Sequence, residues 1–152
     1  MKKFILSMAT AALLFCSCGD VYRTYETYEI VKPGTDMYVD YIVAKGADWH
    51  VSGTAGQQGC YVYQEYRFDD KITEEVMNGG AVLVYLVDSE DRDNILPYVH
   101  NFEIGRNIIL ENIRYEVERG ILTIVVTWDD FEIYSIDEDM QFKVCILSPG
   151  KK

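Results

Sequence analysis

Residues 140–147 read MQFKVCIL, and their side chains alternate between two sets. The even-numbered positions are all apolar, whereas the odd-numbered positions include Gln141 and Lys143. Because successive side chains of a β-strand point to opposite faces, this period of two predicts a strand with one inward face and one partly wetted face. Such a strand is typical of an antiparallel sheet that is covered on one side.

Similar runs, rich in β-branched and aromatic residues, recur through the chain and are separated by turn signals. The sequence predicts strands at residues 38–43, 49–51, 60–68, 81–87, 96–104, 108–118, 121–128 and 140–147. The run 81–87 is almost wholly apolar, which favours a strand buried on both faces. Between two long strands, residues 118–120 predict a tight hairpin in which Gly120 takes a positive φ.

One segment, residues 71–80, breaks the strand pattern and predicts a short helix. Thr73 can cap its start, and Glu74 and Glu75 suit the positive end of the helix dipole. Gly79 can end it in the left-handed conformation. We expect this helix to link two sheets.

Seven or eight short strands with one helical crossover favour an all-β fold, an antiparallel β-sandwich of immunoglobulin-like type. A barrel is the alternative. No linker divides residues 36–152, so we expect one β-sandwich domain there.

The N-terminus has the pattern of a signal peptide over residues 1–17. Lys2 and Lys3 supply a positive start, and a largely apolar run to Phe15 follows. That run is shorter than the roughly 20 apolar residues that span a bilayer. We therefore expect the chain to be exported and this segment to be removed.

The residues around Cys18 resemble a lipobox, in which a small residue precedes the cysteine that receives a lipid. Ser17 precedes Cys18, whereas the bulky Phe15 precedes Cys16, so Cys18 is the better acceptor. Acyl chains contribute about 0.8 kcal/mol per buried methylene, enough in a multiply acylated cysteine for stable anchoring. We expect Cys18 to be the lipidated N-terminus and residues 18–35 to form its tether. An ordinary secretory signal peptide is the alternative.

The formal net charge of the whole chain is −11 at pH 7. Removal of a segment that contains Lys2 and Lys3 makes the remainder more acidic still. Phosphate backbones and anionic lipid surfaces repel such a chain. This excludes nucleic acid as a partner and leaves the lipid on Cys18 as the predicted contact with a membrane.

Two cysteines, Cys60 and Cys145, fall inside strand-like runs of the predicted domain. Exported proteins can form disulfides, and buried reduced thiols also act as small hydrophobic groups. The sequence leaves both states open.

No metal site or cofactor is predicted. His50 and His100 lie far apart, each among strand residues, which is typical of surface or core histidines. The acidic loop at residues 88–94 could offer oxygen ligands to Ca²⁺. It lacks the glycine and final glutamate of an EF-hand loop, and Arg92 stands where a ligand belongs.

No catalytic residues are predicted either, because no Gly-x-Ser-x-Gly motif is present and nothing marks a nucleophile beside a base. Carboxylate pairs occur at residues 69–70 and at Asp129 and Asp130, where predicted strands end. A glycosidase places two acids across a cleft, so this second pair defines the enzymatic alternative.

The strongest binding signal is aromatic, since the chain has 12 tyrosines. On the predicted strand 60–68, alternation puts Tyr61 and Tyr63 on one face and Tyr66 with Val62 on the other. We expect Tyr61 and Tyr63 to form an exposed pair that contacts a glycan or a protein. The alternative is that tyrosine simply fills strands well.

Several motifs together resemble the small uncharacterised lipoproteins of the Bacteroides group. They are the sequences at residues 18–20 (CGD), 48–49 (DW), 80–85 (GAVLVY), 96–98 (LPY) and 142–146 (FKVCI). The resemblance implies a lipid-anchored envelope protein, placed at the outer membrane, and it implies no activity. The leading hypothesis is therefore a non-catalytic binding or accessory module. The alternatives are a glycan-active hydrolase and a structural envelope component.

Overall fold

The structure is a computed structural model that describes residues 35–90 and 92–150. The predicted signal peptide at residues 1–17, the lipidation site Cys18 and nearly all of the tether lie outside the described residues.

The described residues form an antiparallel β-sandwich of two sheets, which confirms the predicted fold class. The strands are β1 (Asp36–Ala44), β2 (His50–Ser52), β3 (Tyr61–Arg67), β4 (Ala81–Val87), β5 (Asp93–Ile95), β6 (Tyr98–Ile104), β7 (Asn107–Glu118), β8 (Ile121–Trp128) and β9 (Met140–Ser148). A single-turn 3-10 helix, Gly46–Asp48, precedes β2, and the helix α1, Glu74–Gly79, precedes β4. One sheet has the order β1-β9-β4-β5 and the other β2-β3-β8-β7-β6.

The core lies between the sheets and depends on alternation in their inner strands. In β9, Phe142, Val144 and Ile146 are at most 1% exposed, whereas the side chains between them are only half-buried or exposed. The even-numbered residues of β8 face them from the other sheet and belong to the same buried cluster. β9 itself pairs with β1 on one side and with β4 on the other, so the first strand hydrogen-bonds to the last.

The predicted helical crossover is confirmed, with one correction at its end. Thr73 caps α1, and its side-chain oxygen accepts a hydrogen bond from the Val76 amide at 3.4 Å. Gly79 does not take the left-handed conformation, and the C-cap that follows the helix is Gly80 with φ −102°. A Cβ on Gly80 would lie 2.1 Å from the carbonyl oxygen of Leu147, so a close approach of two backbones explains this glycine.

Two further predictions concern strands. The hairpin between β7 and β8 turns at Gly120, whose φ of 76° confirms the expected positive value. The prediction that residues 81–87 are buried on both faces is wrong. Only Val84 is fully buried, and Leu83 and Tyr85 are half-buried on the outer face, because the second sheet packs against the inner face alone.

Val84→Asp should unfold the domain, because Val84 is fully buried and pairs with Val144 at the centre of its sheet. An isolated carboxylate there is costly against a total stability of about 5 to 15 kcal/mol. The matched control is Val99→Asp, since Val99 is 55% exposed on β6. Thermal unfolding of both variants tests this, and a cooperative transition of Val84→Asp near that of the parent would contradict it.

Candidate functional site: a tyrosine strip beside an edge cleft

The candidate binding residues lie on the outer face of the five-stranded sheet. In β3, Val62 and Gln64 point inward and are buried, which turns Tyr61 and Tyr63 outward. Tyr66 packs against the core on the opposite side, as the alternation predicts. Both outward tyrosines are half-buried, so they are less exposed than expected.

The two outward rings belong to a short row of aromatic groups. The ring centroids of Tyr61 and Tyr63 are 5.9 Å apart, and those of Tyr63 and His50 are 5.5 Å apart. His50 stands opposite Tyr63 because β2 pairs with β3 in that register. We call these three side chains the tyrosine strip. Tilted rings at this spacing stabilise one another and present their free faces and edges together.

The tyrosine strip rests on a packed outer surface. Val125 of β8 stands opposite Tyr63 and also points outward, yet it is only 1% exposed. Its outward neighbours, Tyr63 on one side and Arg114 on the other, shield it from water. Tyr63 therefore also stabilises this face by covering Val125, whereas Tyr61 lies nearer the end of the strand.

A pocket of about 280 Å³ adjoins the strip at His50. Charged groups from Lys45, Asp48 and Glu65 line it, together with the tyrosine of the inner face, Tyr66. A small concave site with a few fixed polar groups is typical of ligand binding.

Gln64 organises the floor of this pocket. Its amide Nε2 donates to the Lys45 carbonyl oxygen at 2.7 Å, and its Oε1 accepts from the Tyr66 hydroxyl at 2.8 Å. Burial, and after it the negative charge of Asp48, raises the pKa of Tyr66 to about 12. The Tyr66 hydroxyl therefore keeps its proton at neutral pH.

The same open side of the sandwich, where β1 faces β3, holds two further cavities of about 400 and 610 Å³. Tyr38, Asp70 and Lys71 line both. The Lys71 ammonium lies 4.6 Å from the centroid of the Tyr38 ring, a cation–π contact. These cavities form an edge cleft with aromatic walls and hydrogen-bonding groups of both signs.

The structure gives the carboxylates of the enzymatic alternative a local role. Asp129 accepts a hydrogen bond from the Leu110 amide, and Asp130 accepts bonds from the Glu132 amide and the Tyr134 hydroxyl. Both side chains are thus used to hold the segment that follows β8. They do not face each other across any of the cavities described above.

A buried polar group that the sequence reasoning missed is Glu111, only 7% exposed on the inner face of β7. It accepts a hydrogen bond from the Trp128 indole at 2.9 Å, and its other oxygen lies 3.4 Å from Nε2 of His100. The His100 ring stacks on Tyr98. The sequence could have predicted this burial, because alternation places Glu111 on the same face of β7 as the apolar Ile109 and Ile113.

In the acidic loop at residues 88–94, Asp88 is held by hydrogen bonds from neighbouring residues. Asp88 accepts hydrogen bonds from the amides of Glu90 and Arg92 and from the Arg92 guanidinium. These bonds from Arg92, with smaller contributions from Glu90 and Asn94, lower the pKa of Asp88 to about 2. Within residues 35–90 and 92–150, no group of three or more His, Cys, Asp or Glu side chains could hold a metal ion.

Cys60 and Cys145 are free thiols, so the structure contains no bond between them. Cys60 is buried just before β3 in the five-stranded sheet, whereas Cys145 lies on β9 of the other sheet. Because Val144 and Ile146 point into the core, Cys145 points to the outer face. The two cysteines of the candidate disulfide thus lie on different layers of the sandwich.

Tyr66 predicts a pH dependence of stability. Its pKa of about 12 lies above the ordinary value of 10.0, so its stabilising contribution is complete below pH 10 and is lost as the pH rises towards 12. Tyr66→Phe should make the free energy of unfolding fall less steeply between pH 10 and 12. Urea unfolding at several pH values measures this, and an unchanged slope would place the Tyr66 hydroxyl in water.

A scan against protein-family models, a search of curated proteins and a search of solved structures found no match to this chain.

Proposed function

We propose that this protein is a lipid-anchored binding module of the cell envelope, and that its tyrosine strip, with the adjoining pocket, binds a glycan. The observation that carries the proposal is the row of three outward aromatic rings, Tyr61, Tyr63 and His50, beside a pocket with charged walls. A sugar has apolar ring faces that stack on aromatic groups and hydroxyls that bond to polar ones. The strip and the pocket offer both within one surface.

The polar part of the proposed site is prepared for hydroxyl ligands. Asp48 and Glu65 can accept hydrogen bonds from a ligand, and Lys45 can donate them. Gln64 is already committed to Lys45 and Tyr66, so its contacts hold the pocket in shape before a ligand arrives. A preformed site avoids much of the entropic cost of ordering side chains on binding.

A binding role is favoured over hydrolysis because both carboxylates accept hydrogen bonds from backbone amides, Asp129 from Leu110 of β7 and Asp130 from Glu132 of its own loop. Retaining and inverting glycosidases need two carboxyl groups on opposite sides of a bond, roughly 5 to 9.5 Å apart across a cleft. Asp129 and Asp130 are adjacent in the chain and are held by backbone amides, so they do not place two carboxyl groups across a cleft.

The anchor completes the proposal. Cys18 stands after small Ser17 at the end of a short apolar run, the setting of a lipidated cysteine. Among the residues that the structure describes, no helix is long and apolar enough to cross a membrane. A lipid on Cys18 would hold the domain at a membrane surface, with the binding face supplied by the sandwich.

The anchor is tested by Cys18→Ala in the full chain. The variant should lose incorporation of a clickable fatty acid and leave the membrane fraction, because the acyl chains supply the membrane affinity. Cys16→Ala is the matched control and should remain labelled and membrane-bound. Labelling of Cys18→Ala at the parental level would reject the assignment.

The binding site is tested by affinity electrophoresis in gels that contain one neutral polysaccharide each, such as starch, xylan or galactomannan. At least one should retard the protein. The double variant Tyr61→Ala with Tyr63→Ala should weaken that retardation about tenfold or more, since each aromatic contact contributes about 0.5 to 1.5 kcal/mol beyond its buried area.

Two controls accompany this test. The double variant with phenylalanine keeps both rings and should keep most of the binding, and Val99→Ala changes an exposed side chain of the same sheet without touching the strip. Tyr63→Ala should cost about 1 to 2 kcal/mol of stability, because it uncovers Val125, and Tyr61→Ala should cost less. Retardation that survives the alanine pair would remove the strip from the site.

A further inference from the structure

The outer face of the four-stranded sheet is a mostly apolar surface with several exposed side chains, and of its residues only Val43, at one end of β1, also lines the pocket of the proposed glycan site. Alternation places the side chains of four register rows on it. The rows are Met37–Leu147–Ala81, Val39–Cys145–Leu83, Tyr41–Lys143–Tyr85–Ile95 and Val43–Gln141–Val87–Asp93. We call this surface the apolar face.

The apolar face is open to solvent and almost free of charge. Its edge-strand members are the most exposed, with Met37 at 65% and Tyr41 at 56%. Its two charged groups, Lys143 and Asp93, form an ion pair, and the Lys143 ammonium lies 4.7 Å from the centroid of the Tyr85 ring. A chain of net charge −11 thus presents one face with no net charge.

We propose that the apolar face binds a second copy of this chain, so that two four-stranded sheets pack face to face in a symmetric dimer. A contiguous exposed apolar surface of this kind marks an interaction site. Sheets pack in this way about 10 Å apart with interdigitating side chains, as the two sheets of a sandwich do. In a two-fold dimer the same face serves both partners.

The size of the face suits this pairing. Strands of nine, nine, seven and three residues, spaced by about 4.8 Å with a rise of about 3.4 Å per residue, cover roughly 450 Å² in flat projection. Because the side chains project from the sheet, the accessible area is larger than this flat projection. Two copies therefore bury on the order of 1,000 Å² or more, the lower end of the range for a specific interface.

Pairing through the strand edges is disfavoured on both sides of the sheet. At one edge, β1 carries Asp40 on its inward side, where the Tyr38 hydroxyl bonds to it. At the other edge, β5 is only three residues long. Inward-pointing charges and short strands are the features that prevent edge-to-edge pairing of sheets.

The neutral charge of this face permits a copy of the same chain there and also predicts the salt dependence. A basic partner would bind to the acidic remainder of the surface in preference to this face, because this face has no net charge. Two copies repel each other through their net charges of −11, and the neutral face allows close approach. Because salt screens that repulsion, dimerisation should strengthen as the ionic strength rises.

The test uses the full chain in the producing cell. Two copies with different affinity tags are co-expressed, with a photoreactive phenylalanine analogue in place of Tyr41. Irradiation should give a product of twice the chain mass that carries both tags. The matched control places the analogue at Val99, which is 55% exposed on the other sheet, and should give no such product.

A variant distinguishes crosslinking within a specific dimer from crosslinking by chance encounters of two chains. Val39→Glu sets a carboxylate in a central row at a position 41% exposed, so the separate chain tolerates it, whereas two unpaired charges would be buried in the dimer. It should lower the doubly tagged yield at least tenfold, and Val99→Glu should not. Higher salt during detergent extraction should raise co-purification of the two tags.

The proposal is overturned if the Tyr41 analogue gives no doubly tagged product. It is equally overturned if that analogue crosslinks to phospholipid or to a different protein in its place, or if Val39→Glu leaves the doubly tagged yield unchanged. None of these outcomes bears on the tyrosine strip, which lies on the other sheet.

Discussion

The packing of two inner strands against each other underlies the rest of this structure. The even-numbered residues of β9, such as Phe142 and Val144, meet those of β8, such as Ile124, in one buried cluster. Burial of such side chains contributes about 1.5 to 3 kcal/mol each. Because strands alternate, committing one face of each sheet to this core leaves the other face free. The two outer faces are therefore exposed to solvent and available for contacts with other molecules.

The two outer faces differ in polarity because their strands carry different outward side chains. On the five-stranded sheet, tyrosines and a histidine stand beside carboxylates and a lysine, a surface that can bond to water when it is empty. On the four-stranded sheet, apolar side chains occur on all four strands, with one ion pair among them. A wetted aromatic surface suits a soluble, hydroxyl-rich ligand. An apolar surface on a strongly acidic chain gains most by being covered.

Two carboxylates of the sandwich have local partners, and this bears on the candidate chemistry. Glu111 is held by Trp128 and His100 on the inner face of its sheet, and Asp88 is held by Arg92 in its loop. A buried carboxylate without partners would cost several kcal/mol, so the contacts of Glu111 preserve the fold. His100 and the acidic loop, which appear in the sequence as a lone histidine and an acidic cluster, thus have structural partners.

The sequence by itself determined the local features: the alternating strands, the Thr73 cap, the turn at Gly120 and the separation of Tyr61 and Tyr63 from Tyr66. Each depends on residues only a few positions apart. Tertiary structure alone decided which strands pair, since Asp36 lies opposite Ser148 and no local pattern records that. It also decided that β4 is covered on one face, that Cys60 and Cys145 lie on different layers, and that β5 forms at all. The physical reason is that burial and pairing are set by contacts between residues far apart in the chain, whose partners exist only once the sheets have assembled.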